Sequence, residues 1–305
     1  MRTGQPVMTE VSSRPANEGI SSSTSALPRR SAKDRSQFVS VFRRSIERID
    51  IDVNSEVLVI GGMQEDAGAL RRCGFHRITL SNINGVPDDP ALSNDLPILA
   101  IDAEGIDLPD DSYDVVFAHE MIHHCRSPHL ALCEMLRVSK RHVVMMEPND
   151  SAFMRLLCRF KLSFPFELAA VVNNGYVCGG VRNSAVPNFI FRWNQTEVQK
   201  LACSYLPEYR VALYTDPYWD FNVNEKNLAD RKQTKLGSIT RLLGATNFLR
   251  LLHMAQNVLN RAPVLRHQGN KFFCCLQKSA QLQPWLVREG DGRIAFDRRF
   301  QGRQE

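Results

Sequence analysis

"YDVVFAHEMIHHCRSPH", Tyr113–His129, carries two incompatible instructions, and the one the backbone obeys decides the fold. Its middle spells H-E-x-x-H, from His119 to His123, with a further histidine at His129. On a helix, residues i and i+4 stand about 6 Å apart along the axis, near enough to share a zinc ion at about 2.0–2.1 Å each. On an extended chain four residues span about 13 Å, and a shared ion is out of reach. The residues before His119 favour the second case. Val115, Val116 and Phe117 form a β-branched and aromatic run straight after "DDSYD", which reads as a strand buried on both faces. Arg126 stands where the longer zinc signature wants glycine, and Pro128 restrains the backbone before His129. Zinc hydrolysis is therefore set aside, and no metal ligand is expected.

Working outward, the same kind of apolar run recurs. "EVLVIGG" (56–62) ends on paired glycines, and "RITLSN" (77–82), "PILAID" (97–102) and "HVVMMEPN" (142–149) follow in turn. Between them lie helical patterns. Phe38, Phe42, Ile46 and Ile49 recur at helical spacing, "EDAGALRRCGF" (65–75) stops at Gly74, and Ser127-Pro128 starts "HLALCEMLRV" (129–138). Strands alternating with helices imply right-handed crossovers and a parallel sheet covered on both faces. Such sheets place ligands at the carboxyl ends of their strands. Gly61-Gly62, Asn82, Asp102, His119-Glu120 and Glu147 all fall at such ends. Polar residues also follow buried strands for no functional reason, so the convergence alone does not make a site.

The segment "DAEGIDLPDDSYDVVFAHEMIHHCRSPHLALCEMLRVSKRHVVMMEPN", Asp102 to Asn149, resembles the second half of the class I S-adenosylmethionine-dependent methyltransferase domain, type-11 group. "VLVIGGMQEDAGALRRCGFHRITLSNIN" (57–84) is similar to that family's first strand, glycine turn and second strand. Together these span residues 57–149, roughly a third of the chain. The resemblance implies an α/β fold: a Rossmann-like seven-strand, mostly parallel sheet with helices on both faces and a lid-like insertion. "NKFFCCLQK" (270–278) would be its antiparallel strand near the edge.

It implies S-adenosyl-L-methionine as cofactor, with Gly61 and Gly62 under its amino-acid end, Asp102 and Ala103 at the adenine, Asn82 at the ribose and His119 on the floor below the methionine. His123 and His124 are the candidates to take a proton from an alcohol acceptor. The implied reaction is O-methylation of a sugar or other small molecule. Two departures open an alternative, a methyltransferase-like binding or scaffold protein without catalysis. Val59, Met63 and Glu65 replace an acid and two glycines of the usual turn, and Asn82 replaces the acid that grips the ribose.

The rest of the 305 residues sets the frame. A net charge of +5, carried by scattered pairs such as Arg43-Arg44 and Arg71-Arg72, gives no nucleic-acid footprint. Eight cysteines without a C-x-x-C pair read as small buried hydrophobes in a reducing compartment, and the expectation is cytoplasmic. No apolar run approaches the roughly 20 residues of a membrane span.

The expected divisions are a disordered tail (1–35), a cofactor-binding half (36–150), a substrate-side insert with the last sheet strands (151–280) and a C-terminal tail (281–305). Tyr176, Phe191, Trp193, Tyr218 and Trp219 either wall an acceptor pocket or form subdomain core. "RLLGATNFLRLLHMAQNVLNRAPVLRH" (241–267), with Leu242, Leu243, Leu249, Leu252 and Leu259, either covers the sheet or touches a membrane surface that would present a lipid-linked acceptor.

Overall fold

A computed structural model of the chain describes residues 36–85, 96–221 and 243–300. The expected N-terminal tail and Leu242 lie outside the described residues.

The apolar runs become strands. They are β1 (Val57–Ile60), β2 (Ile78–Asn82), β3 (Ile98–Ala100), β4 (Tyr113–His119), β5 (Ser139–Pro148), β6 (Tyr209–Tyr218) and β7 (Lys271–Leu282). They form one sheet in the order β3-β2-β1-β4-β5-β7-β6. β1 to β5 are parallel neighbours, and β7 runs antiparallel to both β5 and β6. That is the expected place for "NKFFCCLQK".

Alternation along the strands sorts the core into two layers. Val57, Val59, Val115, Phe117, Val144, Met146 and Phe273 point to one face, where α1 (Ser36–Ile49) and α2 (Gln64–Arg72) cover them. Leu58, Ile60, Val116, Ala118, Val143, Met145 and Phe272 point to the other, under α3 (Pro128–Val138) and α6 (Gln195–Tyr205). Ser127 caps α3 by accepting from the Leu130 amide, and Pro128 occupies its first turn. Buried Asp216 of β6 binds Arg44 of α1 at 2.7 Å, which ties the first helix to the far edge of the sheet.

The aromatics divide between the two readings. Trp193, Tyr218 and Trp219 are buried core, whereas Tyr176 is exposed. Only Cys274 and Cys275 are fully buried, and Cys203 is exposed, so the cysteine expectation holds in part. After β5 come α4 (Ala152–Arg159) and α5 (Leu168–Asn173). The late leucine-rich segment forms α7 (Ala245–Arg261) and α8 (Pro263–Arg266). α7 covers the end of β6: Gln256 and Asn260 hydrogen-bond the backbone of Phe221 and Trp219, and Leu243 is exposed. Where a C-terminal tail was expected, β7 ends and a hairpin follows, β8 (Leu286–Arg288) with β9 (Ile294–Phe296). Among the described residues no helix is long and apolar enough to cross a membrane.

Candidate active site

The disputed stretch obeys the strand. β4 is extended through His119, Glu120 turns the chain at φ 49°, and Ile122–His124 make a single 3-10 turn. His119, His123 and His129 consequently face different partners, and the H-E-x-x-H reading fails on geometry. His119 Nδ1 lies 2.9 Å from Asp66 Oδ1, and its ring stacks on Phe38 at 4.0 Å. His129 reaches Glu197 at 3.1 Å, beside Trp193.

The five parallel strands bring their carboxyl ends to one rim, and a chain of contacts runs along it. Gly61 ends β1 at φ +62°, a left-handed backbone that favours glycine, and a Cβ there would strike the Met121 side chain. A Cβ on Gly62 would come within 2.5 Å of Val59 Cγ1, so neither position tolerates a side chain without movement. The amides of Met121 and Ile122 both donate to Glu147 Oε1 at 2.9 Å, and His123 Nδ1 lies 2.6 Å from Glu147 Oε2. Glu147, fully buried at the end of β5, thereby fixes the turn that carries both histidines.

Glu167 completes the group. A β-bridge between Phe166 and Phe189, with the Glu167 amide donating to Asn188 O, sets its carboxylate beside the 3-10 turn. Its Oε2 lies 3.3 Å from His123 Nε2 and 3.5 Å from His124 Nε2. Burial works against charge on His123, but Glu147 and Glu167 outweigh it and raise the imidazole to about 10. Burial, and the charge of His123, lower His124. Burial alone would raise Glu167, yet the two histidines hold it below the ordinary carboxylate range.

The other rim residues are engaged within the chain. Asp102 Oδ1 accepts the Glu104 amide at 3.0 Å, and its Oδ2 pairs with Arg182 at 2.6 Å. Ala103 is buried beside it, and Asn82 Oδ1 accepts the Asn84 amide. Glu104 receives the amides of Arg126 and Ser127 and so holds the approach to α3. Glu134 and Arg137 of α3 clamp the loop between β3 and β4. Glu134 accepts the Ile106 amide, and Arg137 donates to the carbonyls of Ile106 and Leu108.

Sequence reasoning missed Glu167 and Arg182. Each lies in a stretch without periodicity, positioned by a bridge or by a residue with positive φ. The only hint was composition, a lone acid within the apolar run "FPFELAAVV" (164–172).

Residues 74–146 match the family described as a methyltransferase domain. A search of curated proteins gives no significant match. Solved structures that the chain is similar to include the methyltransferase in complex with the Trm112 activator from Haloferax volcanii, at 13% identity and TM-score 0.46, over 82% of this chain and 94% of that one. An S-adenosylmethionine-dependent methyltransferase from Archaeoglobus fulgidus aligns at 13% identity and TM-score 0.40, over 79% and 94%. Magnesium protoporphyrin IX methyltransferase from Synechocystis, with bound S-adenosylhomocysteine, aligns at 14% and 0.37, over 60% and 76%. The matched residues run from β2 into β5, so the middle of this rim lies within a segment that matches a methyltransferase domain.

Proposed function

We propose that the protein is an S-adenosyl-L-methionine-dependent methyltransferase that methylates a hydroxyl of a sugar or other small molecule. The observation that carries the reading is the continuity of the rim. Gly61 touches Met121, Met121 is bonded to Glu147, and Glu147 holds His123, so a donor cradle and a proton-handling group adjoin.

The residues present fit the donor. Asp102 and Ala103 offer a carboxylate and an amide to the adenine and Asn82 a carboxamide to the ribose, while the flexible Met121 side chain over Gly61 would have to swing aside for the amino-acid end. His119 sits at the same edge, braced by Asp66 and Phe38. When bound, the cofactor supplies an electrophilic methyl on a sulfonium. The protein's own part is alignment of the acceptor, exclusion of water and handling of its proton at His123 and His124. The segment 151–193, which brings Glu167 and Arg182 to the rim, is the part that would choose the acceptor and cover it.

The scaffold reading has its own support. Arg182 already occupies Asp102, Met121 overlies Gly61, and Asn82 lacks the charge of the usual acid. Calorimetry with S-adenosylhomocysteine, followed by labelled-methyl transfer onto a panel of sugars, separates the two. Binding and transfer are expected, and failure to bind at millimolar concentration would leave only the scaffold.

A further inference from the structure

We propose that His123 Nε2, His124 Nε2 and the Glu167 carboxylate form a binding site for a first-row divalent cation of the Zn2+ type. The three ligand atoms lie within 4.8 Å of one another. Donors on a tetrahedral ion at about 2.0–2.2 Å are spaced by about 3.4 Å. The two measured edges, 3.3 Å and 3.5 Å from Glu167 to the histidines, already have that length.

Hydrogen bonding orients the rings for the task. Glu147 takes the Nδ1–H of His123, which turns the Nε2 lone pair toward Glu167. The His124 ring lies beside the Gly180 backbone. Asn188 donates to Glu167 Oε2 at 3.3 Å and to the His123 carbonyl, steadying the carboxylate from behind. A buried carboxylate behind a ligating imidazole is the usual outer support of a metal site. Without a cation, two imidazole nitrogens and a carboxylate oxygen converge on one point. Two imidazoles with one carboxylate suit Zn2+, Co2+, Mn2+ or Fe2+, whereas Mg2+ and Ca2+ want an oxygen shell.

These are not the ligands the H-E-x-x-H pattern names. His119 and His129 are turned to Asp66 and Glu197, and the extra ligand comes from the insert. The side chains of His124 and Glu167 are partly exposed, so the fourth position opens on the rim. The role there rests on the methyltransferase reading and replaces the two histidines as proton acceptors: with both imidazoles on the ion, an acceptor hydroxyl in the fourth position would lose its proton to solvent more easily. The bound donor would supply the methyl, its carbon–sulfur bond breaking as the carbon–oxygen bond forms and the thioether leaves.

The test uses full-length protein stripped with chelator and titrated with Zn2+, Co2+ and Mg2+ by calorimetry, with Co2+ visible absorption as a second readout. About one equivalent of Zn2+ or Co2+ should bind, with Mg2+ at least roughly tenfold weaker. Glu167→Gln and His124→Ala should abolish binding, and Glu147→Gln should weaken it roughly 10–100-fold. His119→Ala and His129→Ala should leave it unchanged. Absence of Zn2+ and Co2+ binding by the wild type, or binding that survives Glu167→Gln with circular dichroism unchanged, overturns the site. S-adenosylhomocysteine titrated into the same samples keeps the readings apart. Nucleoside binding without metal defeats only the metal site, and metal without nucleoside defeats only the methyltransferase.

Discussion

Arg182 lies 2.6 Å from Asp102 Oδ2, on the carboxylate proposed to meet the adenine amine. On the proposed reading, a nucleoside and this guanidinium would compete for one oxygen. Arg182→Ala should therefore tighten S-adenosylhomocysteine binding by up to about fivefold, since exposed ion pairs are weak. Asp102→Ala should weaken it. Isothermal titration in low and high salt checks both, and weaker binding by Arg182→Ala would mean that the arginine contacts the ligand.

Gly61 combines φ +62° with the side chain of Met121 overhead. Gly61→Ala should cost about 1–2 kcal/mol from the backbone alone, plus whatever the methionine cannot yield. In a double-mutant cycle with Met121→Ala, the steric part should be recovered and the backbone part should remain. Urea melts of the four proteins give the coupling.

The clamp on the β3–β4 loop is pH-dependent. The hydrogen bond from Arg137 holds Glu134 below the usual carboxylate range. A depressed folded value means that the stabilisation is complete above the unfolded value of about 4.3 and fades as pH falls through the folded one. Glu134→Gln should be about 1 kcal/mol less stable than wild type at pH 7, and the two should converge toward pH 3. Thermal melts across that range measure it.

The cysteines give a test of burial. Cys203 is exposed, while burial pushes the Cys275 thiol up to about 12 and also raises Cys274 well above the ordinary thiol value. A thiol reagent at pH 8 should label Cys203 in the native protein and reach Cys274 and Cys275 only after denaturation. Native labelling of Cys275 would contradict the packing of β7.

The frame of the molecule was legible because buried parallel strands announce themselves. Val57–Ile60 and Val115–Ala118 are continuous apolar runs, and nothing but a doubly covered strand accommodates them. The same logic disposed of the zinc pattern, since Val115 to Phe117 left no helix for His119 to share with His123. The rim residues at strand ends followed directly from the topology. What faces them did not. Glu167 is set by a single bridge between Phe166 and Phe189, and Arg182 by a positive φ, both formed by chain that folds back across the rim. No local periodicity encodes such a return, and the apolar run around Glu167 resembles ordinary core. The aromatics were ambiguous for a related reason: Trp193 and Tyr176 look alike in sequence, yet one is wholly buried and the other exposed.

One loop, Gly180 to Asn183, grips both halves of this edge, with Arg182 on Asp102 and the Gly180 backbone on His124. Displacing the guanidinium would therefore move the backbone that lies beside the histidine. If the protein turns over as proposed, that linkage would favour compulsory order, with the donor entering first and its spent form leaving last, and product-inhibition patterns would carry its signature.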